Sequence, residues 1–144
     1  FKKNNLANIT KQANISENKF KYTLRGFHYQ INPFGEDKTL TCVKGSIYDI
    51  VVDLRPKSKT YMKWCSFEID EKNKNLIHIP KGCANAFLTL KKNTIVQYNS
   101  SEFYKPKHEK GIRYNDPLFK FEWPQKPKII SDKDLSHPNY IMIK

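Results

Sequence analysis

Between Lys38 and Tyr98 the chain is cut into short apolar segments, several alternating with a period of two, each set off by a polar or Gly/Pro-marked turn. That rhythm constrains the fold more than any other feature. Ser46 to Leu54 is the clearest case, with Tyr48, Ile50, Val52 and Leu54 alternating against Ile47, Asp49, Val51 and Asp53. Successive side chains of a strand point to opposite faces, so the pattern reads as strand. Thr39 to Val43 precedes it across a turn at Lys44-Gly45. Pro56 and Lys57-Ser58-Lys59 mark a turn before a strand predicted over Thr60 to Ile69, and the polar break from Asp70 to Asn75 precedes Leu76 to Ile79. Pro80-Lys81-Gly82 turns sharply, and strands over Ala86 to Leu90 and Thr94 to Tyr98 are joined by Lys91-Lys92-Asn93. Short strands at this spacing predict an all-β sandwich or barrel. Asp49 and Asp53 on one strand face predict a wet or functional surface.

Aromatic residues make up 13% of the chain and there are only 5 Gly, which agrees with sheet. A chain of 144 residues buries a core without disulfide or metal staples, and no repeat or linker divides it, so residues 1–144 are expected to form one domain. Residues 1–19 are polar, with Ile9, Ala13 and Ile15 in weak alternation, and read as an arm or edge strand. The chain opens on Phe1 with neither a methionine nor a signal peptide, so upstream residues are expected to be missing. After Lys110 the text becomes Pro-punctuated and aromatic around Pro117, Trp123, Pro124 and Pro127, as in a tail wrapping a barrel. Ser131-Asp132-Lys133-Asp134 is suited to capping a short helix, because Ser or Asp there satisfies free backbone N–H groups.

No apolar run approaches the length of a membrane span. Cys42, Cys65 and Cys83 are odd in number and lack Cys-x-x-Cys spacing, which indicates neither a disulfide framework nor a zinc site and suits a reducing cytoplasm. The net charge of +12 invites a nucleic-acid reading, yet the lysines are scattered and no stripe emerges. Only Arg25, Arg55 and Arg113 carry the planar fork suited to phosphate or carboxylate.

The segment Thr23-Leu24-Arg25-Gly26-Phe27-His28-Tyr29-Gln30 sets an arginine three residues from a histidine inside an apolar strand. The period of two places Arg25 and Phe27 on one face and Leu24, Gly26, His28 and Gln30 on the other. Gly26 leaves room for something to approach the backbone. Either an anion is held beside a base, or the segment is a half-buried strand with a hydrogen-bonded histidine and a solvated arginine. His28, His78, His108 and His137 are far apart with no His-x-His pair, so neither metal nor cofactor is expected. Without a phosphate loop, a Gly-x-Ser-x-Gly elbow or a dinucleotide fingerprint, acid–base chemistry in a preformed pocket remains.

Four motifs in order, Leu24 to Gln30, Lys44 to Arg55, Ile79-Pro80-Lys81-Gly82 and Gly111-Ile112-Arg113-Tyr114-Asn115-Asp116-Pro117, resemble the dTDP-4-dehydrorhamnose 3,5-epimerases. The resemblance runs from about Gln12 to Pro138. It implies a metal-free cupin, a double-sheet jelly-roll barrel with short C-terminal helical segments, usually a homodimer, that binds a nucleotide-diphosphate 4-keto-6-deoxy sugar in deoxysugar and surface polysaccharide synthesis. It further implies His28 as base, Lys38 beside the developing oxyanion, Tyr98 as acid on the far side and Asp134 as the carboxylate that orients the histidine. Arg25 matches a diphosphate ligand, Gln12 and Asn14 ligands of base or phosphate, and Tyr104 a tyrosine near the sugar or phosphate. Without that register Lys38 reads as surface, Tyr98 as a strand aromatic, and Asp132 competes with Asp134 for the same role.

One residue departs from the pattern. In Pro80-Lys81-Gly82-Cys83-Ala84-Asn85-Ala86-Phe87, Asn85 stands where the resemblance expects a pocket histidine, and an amide cannot carry a proton through the range of catalysis. Epimerisation at carbons 3 and 5 is the leading expectation, and three alternatives stand beside it. These are a carbon-3-only epimerase or 3,4-ketoisomerase of a dTDP- or GDP-linked sugar, a non-catalytic sugar-nucleotide-binding cupin, and a nucleic-acid binder.

Overall fold

The structure is a computed structural model and describes residues 9–142. Of the N-terminal arm expected over residues 1–19, residues 1–8 therefore lie outside the described residues. Ten strands and one helix follow in order: β1 Gln12–Asn18, β2 Thr23–Gln30, β3 Lys38–Lys44, β4 Ser46–Asp53, β5 Trp64–Asp70, β6 Leu76–Ile79, β7 Cys83–Thr89, β8 Thr94–Ser100, β9 Glu109–Gly111, β10 Ile129–Ile130 and α1 Asp132–Leu135. They build two sheets, one ordered β1-β8-β3-β6 and the other β10-β2-β7-β4-β5 with β9 also on β2. All pairings are antiparallel except β10 with β2. This is the jelly-roll sandwich that the strand rhythm and the family motifs predict.

Two apolar clusters hold it together. Leu40, Cys42, Ile47, Ile69, Ile77, Ile79, Phe87 and Val96 fill the space between the sheets. Phe27, Ile50, Val52, Leu54, Ala84, Ala86, Ile112 and Phe119 lie on the opposite face of the larger sheet, covered by Phe121, Trp123 and Tyr140 of the C-terminal tail. Phe121 stacks on Phe27 at 4.3 Å and on Phe119 at 5.0 Å between centroids, while Trp64 and Trp123 donate their indole N–H to the carbonyls of Phe119 and Tyr114. Each such side chain contributes about 1.5–3 kcal/mol when fully buried. The tail thus makes β7 buried along its whole length, where a half-exposed strand would alternate.

Several sequence expectations give way. The strand predicted from Thr60 begins only at Trp64, because Asp53 gathers the Arg55 guanidinium and the Ser58 and Thr60 hydroxyls and holds that stretch in turns. Asp49 and Asp53 do not form a wet face, since they are 0% and 6% exposed. In β1 the alternation runs opposite to its apolar pattern, with Gln12, Asn14 and Ser16 turned inward and Ile15 left 70% exposed. The inward face there lines a polar cavity and not a core.

The largest revision concerns β2. Gly26 pairs with Ala86 while His28 pairs with Asn85, so two steps along β2 match one along β7 and Phe27 is the extra residue of a bulge. The bulge shifts the phase of the strand. Arg25 opposite Phe87 and His28 opposite Asn85 consequently share the inner face, and Phe27 is sent outward beneath the tail. Gly26 permits close approach, but of the next strand and not of a ligand: a Cβ there would lie 2.5 Å from the Asn85 carbonyl oxygen and 2.8 Å from Ala86 Cα. Its φ of +111° also suits glycine alone.

Candidate active site

Between the sheets, next to the first cluster, whose Leu40 and Phe87 help line it, lies a cavity of about 350 Å³. Eight of the nine residues singled out from the sequence line it: Gln12, Asn14, Arg25, His28, Lys38, Asn85, Tyr98 and Tyr104. Asp134, the ninth, sits directly behind His28. The larger sheet contributes Arg25, His28 and Asn85, and the smaller one Gln12, Asn14, Lys38 and Tyr98, so the walls face each other across the cavity.

Ser131 caps α1 as expected, its hydroxyl accepting from the Asp134 N–H at 3.1 Å. That cap chooses between the two carboxylates. Asp132 points to solvent, whereas Asp134 is buried with Oδ1 2.6 Å from His28 Nε2 and Oδ2 accepting from the Gly26 N–H at 3.4 Å. Burial raises the Asp134 carboxyl, but the hydrogen bond and charge of His28, with Ser131 and the Gly26 N–H, overcome it and hold the group below the ordinary carboxylate range. An ionised carboxylate on Nε2 fixes the tautomer that donates there and leaves Nδ1 as the acceptor.

On the opposite wall Lys38 Nζ donates to the His28 carbonyl at 3.3 Å and pairs with Glu36 at 3.3 Å. Burial, reinforced by the charges of Glu36 and Glu109, pushes the Tyr98 phenol upward, so it keeps its proton at neutral pH. Arg25 Nε donates to Asn18 Oδ1 at 3.2 Å. Gln12 bridges the rim, giving its amide to Asn14 at 2.8 Å and accepting from the Tyr104 N–H at 2.9 Å.

Sequence reasoning left four further groups without a place at the site, Asp49 among them although its strand face was marked. Glu109, on β9, accepts from Lys133 and from the Tyr104 hydroxyl; burial raises its carboxyl, and these bonds outweigh it to leave the group below its ordinary value. Lys133 joins Arg25 and Lys38 as a third cation on the cavity wall. Asp49 lies behind the wall, where its Oδ2 accepts from Asn85 Nδ2 at 3.0 Å and burial pushes it up to about 8 against the pull of that bond and of Lys38. His137 is the fourth: its ring meets that of His28 edge-on at 5.4 Å, and burial together with His28 holds it below the ordinary imidazole range. His28 and His137, far apart in sequence, are thus adjacent in space, and with Asp134 they are a set with the donors to hold a metal ion. The only advance signal for His137 was its spacing of three from Asp134.

The sequence matches the model of the dTDP-4-dehydrorhamnose 3,5-epimerase family over residues 1–141. It is 36% identical to the dTDP-4-dehydrorhamnose 3,5-epimerase of Sinorhizobium fredii over 118 residues, which are 81% of this chain and 60% of that protein. The chain thus spans less than two thirds of that relative's length. Among solved structures, the dTDP-4-dehydrorhamnose 3,5-epimerase of Bacillus anthracis with TDP and PPi bound superposes with a TM-score of 0.94 at 34% identity, covering 96% of this chain and 79% of that one. ChmJ, a 3'-monoepimerase from Streptomyces bikiniensis in complex with dTDP-quinovose, superposes at 0.84 with 30% identity, covering 91% and 66%. The fold, the shared motifs and the match along nearly the whole chain lead to one conclusion: this protein belongs to the dTDP-4-dehydrorhamnose 3,5-epimerase family.

Proposed function

We propose that the chain epimerises a nucleotide-diphosphate 4-keto-6-deoxy sugar by removing a proton next to the ketone and returning one to the opposite face. The observation that carries this reading is the placement of His28 and Tyr98 on opposing sheets, lining one cavity together with Lys38. The ketone acidifies the hydrogens at carbons 3 and 5. His28 Nδ1 accepts one of them, and the electron pair left on carbon moves onto the carbonyl oxygen of carbon 4 as an enolate, whose charge the Lys38 ammonium offsets. Asp134 stabilises the imidazolium that results. Tyr98 then delivers its phenolic proton from the other wall, and proton return from the other side inverts the centre. Arg25 holds the diphosphate with its planar fork, while Gln12, Asn14 and Tyr104 meet the nucleotide end. The family's substrates supply the nucleotide, with dTDP the first to test.

A second reading, epimerisation at carbon 3 alone, is favoured by Asn85. It is the register partner of His28 and offers an amide where a titrating group would serve a second position. Both readings are separated by incubating the protein with dTDP- and GDP-linked 4-keto-6-deoxy sugars in heavy water and locating the deuterium. Label at carbons 3 and 5 supports the double epimerase, and label at carbon 3 alone supports the monoepimerase. Exchange with none of these sugars, or exchange that survives His28→Ala, overturns the enzymatic reading. The proposal extends to a homodimer working in the cytoplasm, where free thiols at Cys42, Cys65 and Cys83 persist; sedimentation and fractionation test these two points.

A further inference from the structure

Proton transfer accounts for His28 and Asp134 but leaves His137 unexplained. The fold makes deliberate room for this ring. A Cβ on Gly111 would come within 2.3 Å of three atoms of the His137 imidazole, and Gly111 is the residue of β9 that pairs with His28. The ring therefore lies against bare backbone, edge-on to the His28 ring. His137 Nε2 is buried without a hydrogen-bond partner, 3.5 Å from the same Asp134 Oδ1 that takes His28 Nε2 at 2.6 Å. Donor atoms of all three residues fall within 4.8 Å of one another.

We propose that His28 Nε2, Asp134 Oδ1 and His137 Nε2 form an inhibitory site for a divalent cation that accepts nitrogen ligands, Zn²⁺ above all, and that its occupation silences the base. Two imidazoles and a carboxylate are a donor set that zinc takes readily and magnesium does not. Ligands about 2.0–2.1 Å from a tetrahedral ion stand about 3.3 Å apart. The observed separations from Asp134 Oδ1, 2.6 and 3.5 Å, bracket that value, and the two imidazole nitrogens, within 4.8 Å of each other, reach it when the rings turn toward the ion. Water completes the coordination.

The proton count explains the inhibition. In the neutral dyad the His28 proton is on Nε2, and Nδ1 presents its lone pair to the cavity. An ion on Nε2 needs a lone pair at that nitrogen, so the proton leaves Nε2, the Nδ1 lone pair takes it up, and the ring stays neutral. His137 likewise presents Nε2 to the ion with its own proton on Nδ1. Nδ1 of His28 has then become a donor, and it cannot accept a proton from substrate. The silencing rests on the epimerase reading, whereas the ion site stands on the geometry alone.

The test uses the full chain carrying Cys65→Ser, which removes the exposed thiol as a competing ligand, with ¹⁵N-labelled histidines and Zn²⁺ or Mg²⁺ as titrant. Zn²⁺ is expected to move the protonated nitrogen of His28 from Nε2 to Nδ1, with matching perturbation of His137, and Mg²⁺ to leave both unchanged. His137→Gln is expected to raise the Zn²⁺ needed for half-occupancy by about tenfold or more, since even partners outside the coordination sphere are worth about 10–100-fold in metal affinity. In the heavy-water assay Zn²⁺ is expected to suppress exchange reversibly with EDTA, at about tenfold higher concentration in His137→Gln. Retention of the Nε2 proton on His28 under saturating Zn²⁺, or equal Zn²⁺ affinity in a folded His137→Gln, overturns the site. Should that variant not fold, the tautomer readout on the parent chain decides. A tautomer shift in a protein that exchanges no sugar proton would overturn the epimerase reading while leaving the ion site intact.

Discussion

Asp134→Asn probes the dyad with almost no change of shape. Asp134 uses both oxygens as acceptors, Oδ1 for His28 Nε2 at 2.6 Å and Oδ2 for the Gly26 N–H at 3.4 Å. An amide has one acceptor. If its oxygen keeps the Gly26 N–H, its NH₂ faces His28 Nε2, and the imidazole proton is driven to Nδ1, the atom that should act as base. If it turns the other way, two N–H groups oppose each other at Gly26. Either way the negative charge beside the imidazolium is gone. The side chain is 3% exposed, so solvent screens little of the loss. Breaking a buried charged pair costs about 3–5 kcal/mol. At about 1.4 kcal/mol per power of ten, that is a fall of about two to four powers of ten in rate. Because Asp134 does not line the cavity, the fall should appear in kcat while KM stays near its parent value. The assay is deuterium incorporation at carbon 3, followed by NMR over a range of sugar concentrations. A loss below tenfold, or one confined to KM, would refute the orienting role.

Four further outcomes follow from the same geometry. Tyr98→Phe should retain exchange of the substrate proton while epimer formation drops by about 10²–10⁴-fold, and equal loss of both counts against Tyr98 as the returning acid. Arg25→Ala should weaken binding of dTDP, read by calorimetry, by about 10–100-fold, the value of a charged hydrogen bond, with kcat little changed. Gly26→Ala places a Cβ 2.5 Å from the Asn85 carbonyl at φ +111° and should cost about 2–4 kcal/mol in urea unfolding; a loss under about 1 kcal/mol would mean that β2 and β7 part easily at the bulge. Asp49 has a folded value of about 8 against 3.8 ordinarily, so the native chain holds a proton there that the unfolded chain has lost. Its contribution to stability is full below 3.8 and disappears as pH rises toward about 8. Asp49→Asn should therefore gain in Tm relative to the parent between pH 5 and 8, and a difference that does not vary with pH would contradict the burial argument.

The strands were legible because alternation is a local property that survives without knowledge of partners. Ser46 to Leu54 announced β4 almost residue for residue, and Leu76 to Ile79 gave β6 outright. What alternation could not supply was which face would be wet. The aromatic tail covers the outer face of the larger sheet, so Ala84 and Ala86 are as buried as Phe87, while Asp49, on the inner face with Ile47 and Val51, is sealed between the sheets beside Asn85. Burial of the outer face depends on Phe119, Phe121, Trp123 and Tyr140, more than 30 positions from Ala86, and no strand pattern carries that information. The start of β5 failed for a related reason: Thr60 looks like a strand residue, but its hydroxyl is worth more to the Asp53 carboxylate than its backbone is to a ladder.

For the site, the motifs named the residues and the bulge explains how they meet. A regular strand would put Arg25 and His28 on opposite faces, one able to hold a phosphate and the other unable to reach the sugar attached to it. One unpaired residue, Phe27, resolves this, and only Gly26 can occupy the turn of backbone that precedes it so close to Asn85. The conformational freedom of a single glycine therefore decides that Arg25 and His28 share one face. The same constraint fixes the back of the site, since the Gly26 N–H and His28 grip the two oxygens of Asp134 at once. A substitution that relaxes the bulge must disturb both the shared face of Arg25 and His28 and the seat of Asp134. On the facing strand, Asn85 lies opposite His28 and is tied to the buried Asp49, so its side chain is held in place from behind while it lines the cavity.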